Sequence, residues 1–213
     1  METLLIPILI LVVLLLVIGV ALPNLILGLV IINERQVGIV VRRFSVKGAS
    51  LPPGKLIALN GEPGIQADTL APGWHFGYWS WMYTVERVPV TVVPQGEIAL
   101  VVAADGNAAP LGRILGRIVD SDNFQDARKF LSNGGEKGRQ LGILTAGAYR
   151  INTALFTIIG ARNASEHGMS PKQLTIYRIA HDQVGILAAL HGAPLAYGEI
   201  ASLFIPGHDN FQN

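Results

Sequence analysis

ERQVGIVVRRF, Glu34 to Phe44, is the stretch whose reading decides the fold. A polar lead gives way to an unbroken aliphatic run and a charged close. An apolar run of this length between turn signals is a strand at least half buried. The pattern returns as GEIALVVAADG, Gly96 to Gly106, and as DQVGILAALHG, Asp182 to Gly192, the latter two closing on DG or HG turns. Three strands of one pattern predict a chain dominated by internal repeats.

The repetition extends outward from these strands. APLGRILGRIVDSDNFQD, Ala109 to Asp126, corresponds to APLAYGEIASLFIPGHDNFQN, Ala193 to Asn213, and TLAPGWHFGYW, Thr69 to Trp79, to ILTAGAYRINT, Ile143 to Thr153. Between them lies helical pattern. Asp122 is placed to cap, Phe124, Ala127, Phe130 and Leu131 share a face, and Asn133-Gly134-Gly135 stops the helix. A second short helix is expected from Glu136 toward Leu144. The fold class is α+β, strand-rich, with a few short helices packed on mixed or antiparallel strands. HDNFQN, His208 to Asn213, lacks the ARKFL that follows SDNFQD in the first copy, which reads as a chain cut inside a repeat.

Composition narrows the function classes. The chain has 213 residues, 50% hydrophobic and only 15% charged, where globular chains carry about 25% charge. Something apolar lies outside an ordinary core. A net charge of +1 with no basic run gives no electrostatic footprint for nucleic acid. The absence of cysteine excludes thiolate catalysis, disulfides and cysteine-ligated metal.

From Leu4 to Ile32 no residue is charged, a run longer than the roughly 20 residues that cross a hydrocarbon core as helix. It is too long for a signal peptide and lacks a positive leader. The expectation is a transmembrane helix over residues 1–32, lined by Leu4, Leu9, Leu14, Ile18 and Leu22, with Pro23, Asn24 and Gly28 marking a kink or an end. Arg35, Arg42, Arg43 and Lys47 follow the run and no basic residue precedes it. The positive-inside rule then puts the bulk of the chain in the cytoplasm, on a single-pass anchor.

These features together resemble the SPFH, or band-7, family of stomatins, prohibitins and flotillins, most closely its bacterial flotillin-like members. The matching order is an apolar segment running into INERQVGIVVRRF, then LPPGKLIALNGEPGIQADTLAPGWHFGYW, then VERVPVTVVPQGEIALVVAADG. The resemblance implies an SPFH-like domain over residues 33–158, with 159–213 a partial second repeat. It implies a membrane-anchored, non-catalytic scaffold in a bacterial inner membrane that self-associates into a homo-oligomer and organises membrane microdomains or protein complexes, without a cofactor. The alternatives are an accessory regulator of a membrane protease and an extracytoplasmic adaptor of a transport complex. Family members carry a long coiled coil after this unit, and no sustained heptads occur here.

Site chemistry is sparse. All three tryptophans fall in WHFGYWSWMY, Trp74 to Tyr83, although aromatics make up only 7% of the chain. Trp74, Phe76, Trp79 and Trp81 suit the headgroup zone of a lipid bilayer, or else one face of a strand in the core. Arg42 and Arg43 suit either anionic headgroups or a solvated strand end. GGEKGRQ, Gly134 to Gln140, has glycines and cations but not the order of a phosphate-binding P-loop. The five histidines are scattered, no GxSxG elbow occurs, and no catalytic, metal or cofactor residue is expected.

Overall fold

The computed structural model describes residues 2–21, 27–45, 50–188, 195–202 and 206, with side chains given from Ile6 to Gly19 in the first helix. Helix α1, Glu2–Ala21, is followed by β1, Val30–Ile32, and β2, Gln36–Arg42. Next come β3, Ile57–Ala58, β4, Gly64–Leu70, β5, Gly73–His75, and β6, Tyr83–Pro89. The chain continues through β7, Thr91–Val93, and β8, Ala99–Ala103, to α2, Ala127–Ser132. It then forms β9, Gly138–Leu144, β10, Gly147–Tyr149, and β11, Phe156–Ile159, and two short 3₁₀ turns at Ala164–His167 and Pro171–Leu174.

Strand pairing divides residues 30–159 into two like units. In the first, β2 lies between β4 and β6, and β1 pairs with β5, all antiparallel. In the second, β8 lies between β9 and β11, and β7 pairs with β10, again antiparallel. The register agrees to the residue. Gly38 faces Leu70 and Ile39 faces Thr69, a bulge intervenes, and Val41 faces Ile65; Ala99 faces Leu144 and Leu100 faces Ile143, a bulge intervenes, and Val102 faces Arg139. A bulge is specified by local sequence and twist, so its recurrence at one place marks one folding plan used twice.

The units differ in what fills the excursion between their paired strands. In the first, the described residues of 43–63 carry only β3, parallel to β4 through Ala58 and Gln66. In the second, residues 104–137 match it with the parallel bridge of Gly116 to Gln140, form another between Asn107 and Glu136, and add α2. The helix starts at Ala127, capped by Asp126, whose carboxylate accepts from Lys129 N–H at 2.8 Å, and not at Asp122. Asp122, Asn123 and Phe124 are all left-handed, with φ of 51°, 51° and 63°, so the chain turns there before the helix begins. Phe124 and Phe130 still bury together with Phe156, ring centroids 5.0–6.1 Å apart. Gly135 lies beneath this cluster; a Cβ there would stand 2.5 Å from the Phe130 ring.

Three further expectations are overturned. Glu136 to Leu144 is not a helix: Gly138 and Gly142 weaken helical propensity, and the segment pairs along its length with β8 as strand β9. Residues 182–188 form no strand with any partner. The transmembrane segment over residues 1–32 is not supported, because among the described residues no helix is long and apolar enough to cross a membrane. The apolar run is not one helix: α1 stops at Ala21, and Val30–Ile32 is already strand, with Gly28 at φ +60° just before it. The single-pass placement in a bacterial inner membrane, with the bulk of the chain cytoplasmic, falls with it. Leu4, Leu9, Leu14 and Ile18 lie in α1, with Leu9 and Leu14 exposed; Leu22, and the repeat copy at His208 to Asn213, lie outside the described residues.

Candidate functional site

Each unit is pinned at one corner by a glutamine. Gln66 Nε2–H donates to the carbonyls of Glu62 and Gly64 at 2.8 and 2.9 Å, and Gln140 Nε2–H donates to those of Glu136 and Gly138 at 2.6 and 2.8 Å. The sequence behind this is E-x-G-x-Q, written EPGIQ and EKGRQ. The glycine takes φ of 118° and 104° in the two copies, which side-chain-bearing residues resist, and the amide then bridges the turn it creates. Farther along, His75 Nε2 lies 2.7 Å from the Ala71 carbonyl, and the Tyr149 hydroxyl donates to the Thr145 carbonyl at 3.0 Å. Different side chains thus close the same β4–β5 and β9–β10 corner.

The first unit carries an exposed aromatic rim. Trp74 and Phe76 stand out into solvent, and Trp81 stacks between Trp79, 6.1 Å away, and Phe44, 5.8 Å away. Tyr78 and Tyr83 turn the other way, meeting edge to face at 5.4 Å over a small core of Val30, Ile32, Val40 and Leu70. Burial pushes the Tyr78 hydroxyl up from its ordinary range, with the Tyr83 and Asp68 charges adding to it. The aromatic stretch therefore serves both faces. The rim adjoins the chain leaving the apolar N-terminal run, since Gly77 and Tyr78 N–H donate to the carbonyls of Leu27 and Gly28 at 3.1 and 2.9 Å. A Cβ on Gly28 would stand 2.6 Å from Tyr78 N, so this approach requires glycine. Arg42 is held by the protein, donating to the Gly61 carbonyl at 2.7 Å beneath the Tyr83 ring, and Arg43 donates to the Thr84 hydroxyl at 3.2 Å.

No family model, curated protein or solved structure matches this chain.

Two acidic side chains missed in the sequence do structural work. Asp105 is buried, which disfavours its charge, but N–H groups of Leu56, Ile57 and Gly106 and the nearby Lys55 ammonium outweigh that and hold its carboxyl below the usual range. It thereby ties the first unit's excursion to the second unit. Glu136 accepts from Arg117 N–H at 3.0 Å, the first cause of its lowered pKa; burial opposes it, and the Arg113 guanidinium adds to it. The ADG and GGE contexts of these residues read as simple turns. Their only sequence signal was an acid beside a glycine corner.

A cleft of about 370 Å³ opens in the second unit, lined by Val92, Glu97, Phe156, Ile158, Gly160 and Arg162 among others. At the matching place in the first unit, Arg87 Nε–H donates to the Ile31 carbonyl at 3.0 Å. Gly160 occupies the position equivalent to Arg87. Among the described residues no cluster of three or more His, Cys, Asp or Glu side chains is placed to hold a metal ion.

Proposed function

We propose that this chain is a non-catalytic scaffold of the SPFH, or band-7, type, which self-associates and holds partner proteins at a lipid surface. The observation that carries the reading is the tandem repeat with one face covered and the equivalent face open. The face of β4 that presents Ile65 and Ala67 is packed into the main core of the second unit, with Ala127 of α2 in the same cluster. Arg128 of α2 grips Asp68 with both guanidinium arms at 2.8 and 2.6 Å, and Asn152 Nδ2–H donates to the Gln66 and Ala67 carbonyls. The matching face of β9 presents Leu141 and Ile143, which remain 47% and 37% exposed. A surface that one unit buries against its neighbour and the next unit leaves open is built for stacking.

The aromatic rim supports the lipid half of the reading. Indole and phenol rings partition to headgroup depth, and the basic residues beside them add attraction to anionic lipid. This is contact with a surface, distinct from spanning it.

Sedimentation velocity tests the self-association. The expected result is a concentration-dependent oligomer that Leu141→Asp with Ile143→Asp returns to monomer; a parent protein that is monomeric at all concentrations overturns it. Co-sedimentation with vesicles containing phosphatidylserine tests the surface contact. Trp74→Ala with Trp81→Ala should lower the bound fraction several-fold, and an unchanged fraction removes the lipid role.

A further inference from the structure

The second unit lacks a cation that the first unit supplies to itself. Glu86 pairs with Ile39 as Ile159 pairs with Leu100, so the next residue is Arg87 in the first unit and Gly160 in the second. Ile31 pairs with Trp74 as Val92 pairs with Ala148, which gives Ile31 and Val92 the same place in the two units. In the first unit the Arg87 Nε–H donates to the Ile31 carbonyl at 3.0 Å. Among the described residues no side chain donates to the Val92 carbonyl. A Cβ on Gly160 would meet nothing within 4 Å, so the space an arginine would use is open.

A second exchange accompanies the first. In the turn that opens each unit, Gln36 N–H donates to the Asn33 carbonyl and Glu97 N–H to that of Pro94, at 3.0 and 3.2 Å. The unit that has glycine for Arg87 thus has a carboxylate for the neutral Gln36. Both changes meet at the cleft of about 370 Å³, which Val92, Glu97 and Gly160 line together with the apolar side chains of Phe156 and Ile158. Arg162 lines it too, and among the described residues the side chains of Glu97 and Arg162 have neither a hydrogen bond nor an ion pair. An anion and a cation that line one cleft without pairing suit a ligand charged oppositely at its two ends.

We infer that this cleft binds a small ω-guanidino carboxylic acid. Its guanidinium takes the place that Arg87 fills in the first unit, donating to the Val92 carbonyl and the Glu97 carboxylate; five N–H donors suffice for both. Its carboxylate accepts from the Arg162 guanidinium, whose fork matches it. Its methylene chain lies along Phe156 and Ile158. The cleft has the volume of a small-molecule pocket, with a few polar groups fixing orientation between apolar walls. The ligand is a free small molecule, because Arg162 calls for a carboxylate that an arginine side chain within a peptide does not carry. The site is independent of self-association and of lipid contact.

The probe is 4-guanidinobutanoate, titrated into the full chain by calorimetry. Saturable one-to-one binding at up to about 1 mM ligand is expected, with amide shifts in the ¹⁵N-labelled chain confined to the strands around the cleft. Glu97→Gln should weaken binding at least about tenfold with the melting temperature unchanged. Gly160→Arg, which grafts the first unit's guanidinium into the cleft, should abolish it. Arg162→Ala should weaken 4-guanidinobutanoate at least about tenfold and leave the binding of butylguanidinium, which has no carboxylate, unchanged. Absence of binding to the parent overturns the inference, as does binding indifferent to any of the three substitutions. A peptide with a central arginine that binds more tightly than the free acid also overturns it, since the occupant would then be a partner protein.

Discussion

The two units share strand order, bulge and corner glutamine but solve the problem of a core differently. The first has a short excursion and a small aromatic and aliphatic core under Tyr78 and Tyr83. The second spends a longer excursion on α2 and buries three phenylalanines beneath it. The shared parts are backbone geometry, and the divergent parts are side-chain volume. What has been kept is the pairing plan that lets one unit be laid on the next. Side chains have been free to change wherever a different filling served the same plan.

The largest test of this contrast is Phe130→Ala, which empties a fully buried ring site and should cost about 3–5 kcal/mol. The loss should be read by chemical denaturation of the full chain; a cost under 1 kcal/mol would mean that the second core does not depend on its helix. Next is Asp105→Asn, which puts an amide N–H against the Leu56, Ile57 and Gly106 donors and should cost about 2 kcal/mol at neutral pH. Because the folded carboxyl is depressed, its contribution is fully present above the unfolded value of about 3.9 and is lost as pH falls through the folded value. Parent and variant stabilities should therefore converge at acid pH, and a gap that persists there would assign the effect to shape rather than charge.

Gln66→Leu and Gln140→Leu make the matched comparison. Each removes two hydrogen bonds to backbone carbonyls, and each should cost about 1–2 kcal/mol. A large inequality between them would show that the repeated corner bears load in one unit only. The smallest effect belongs to Arg87→Gly, which makes the first unit resemble the second at its cleft and should cost less than about 1 kcal/mol. Its mirror, Gly160→Arg, meets no atom within 4 Å at Cβ and should leave the melting temperature within about 2 °C of the parent.

The strands of the first and second patterns were legible because aliphatic runs between glycine turns have few other solutions, and β2 and β8 lie inside them. The pairing of TLAPGWHFGYW with ILTAGAYRINT was equally legible and appears as β4–β5 and β9–β10. The helix beginning was misplaced by four residues because three consecutive left-handed non-glycine residues carry no signature in composition. GEKGRQLGIL was misread because an alternating strand with two glycines resembles a poor helix until its partner is known. The third strand pattern failed for the complementary reason: its residues are right for a strand, and a strand needs a neighbour. At the aromatic stretch, composition disclosed the cluster, while only the fold shows Trp74 and Phe76 facing out and Tyr78 facing in.

The most direct test of the tandem plan is a set of cross-strand nuclear Overhauser contacts in the labelled full chain. The account predicts contacts of Ile39 with Thr69 and of Val41 with Ile65 in the first unit, and of Leu100 with Ile143 and of Val102 with Arg139 in the second, each pair straddling a bulge. A register in the second unit shifted by one residue from the first, or a bulge present in only one of them, would contradict it.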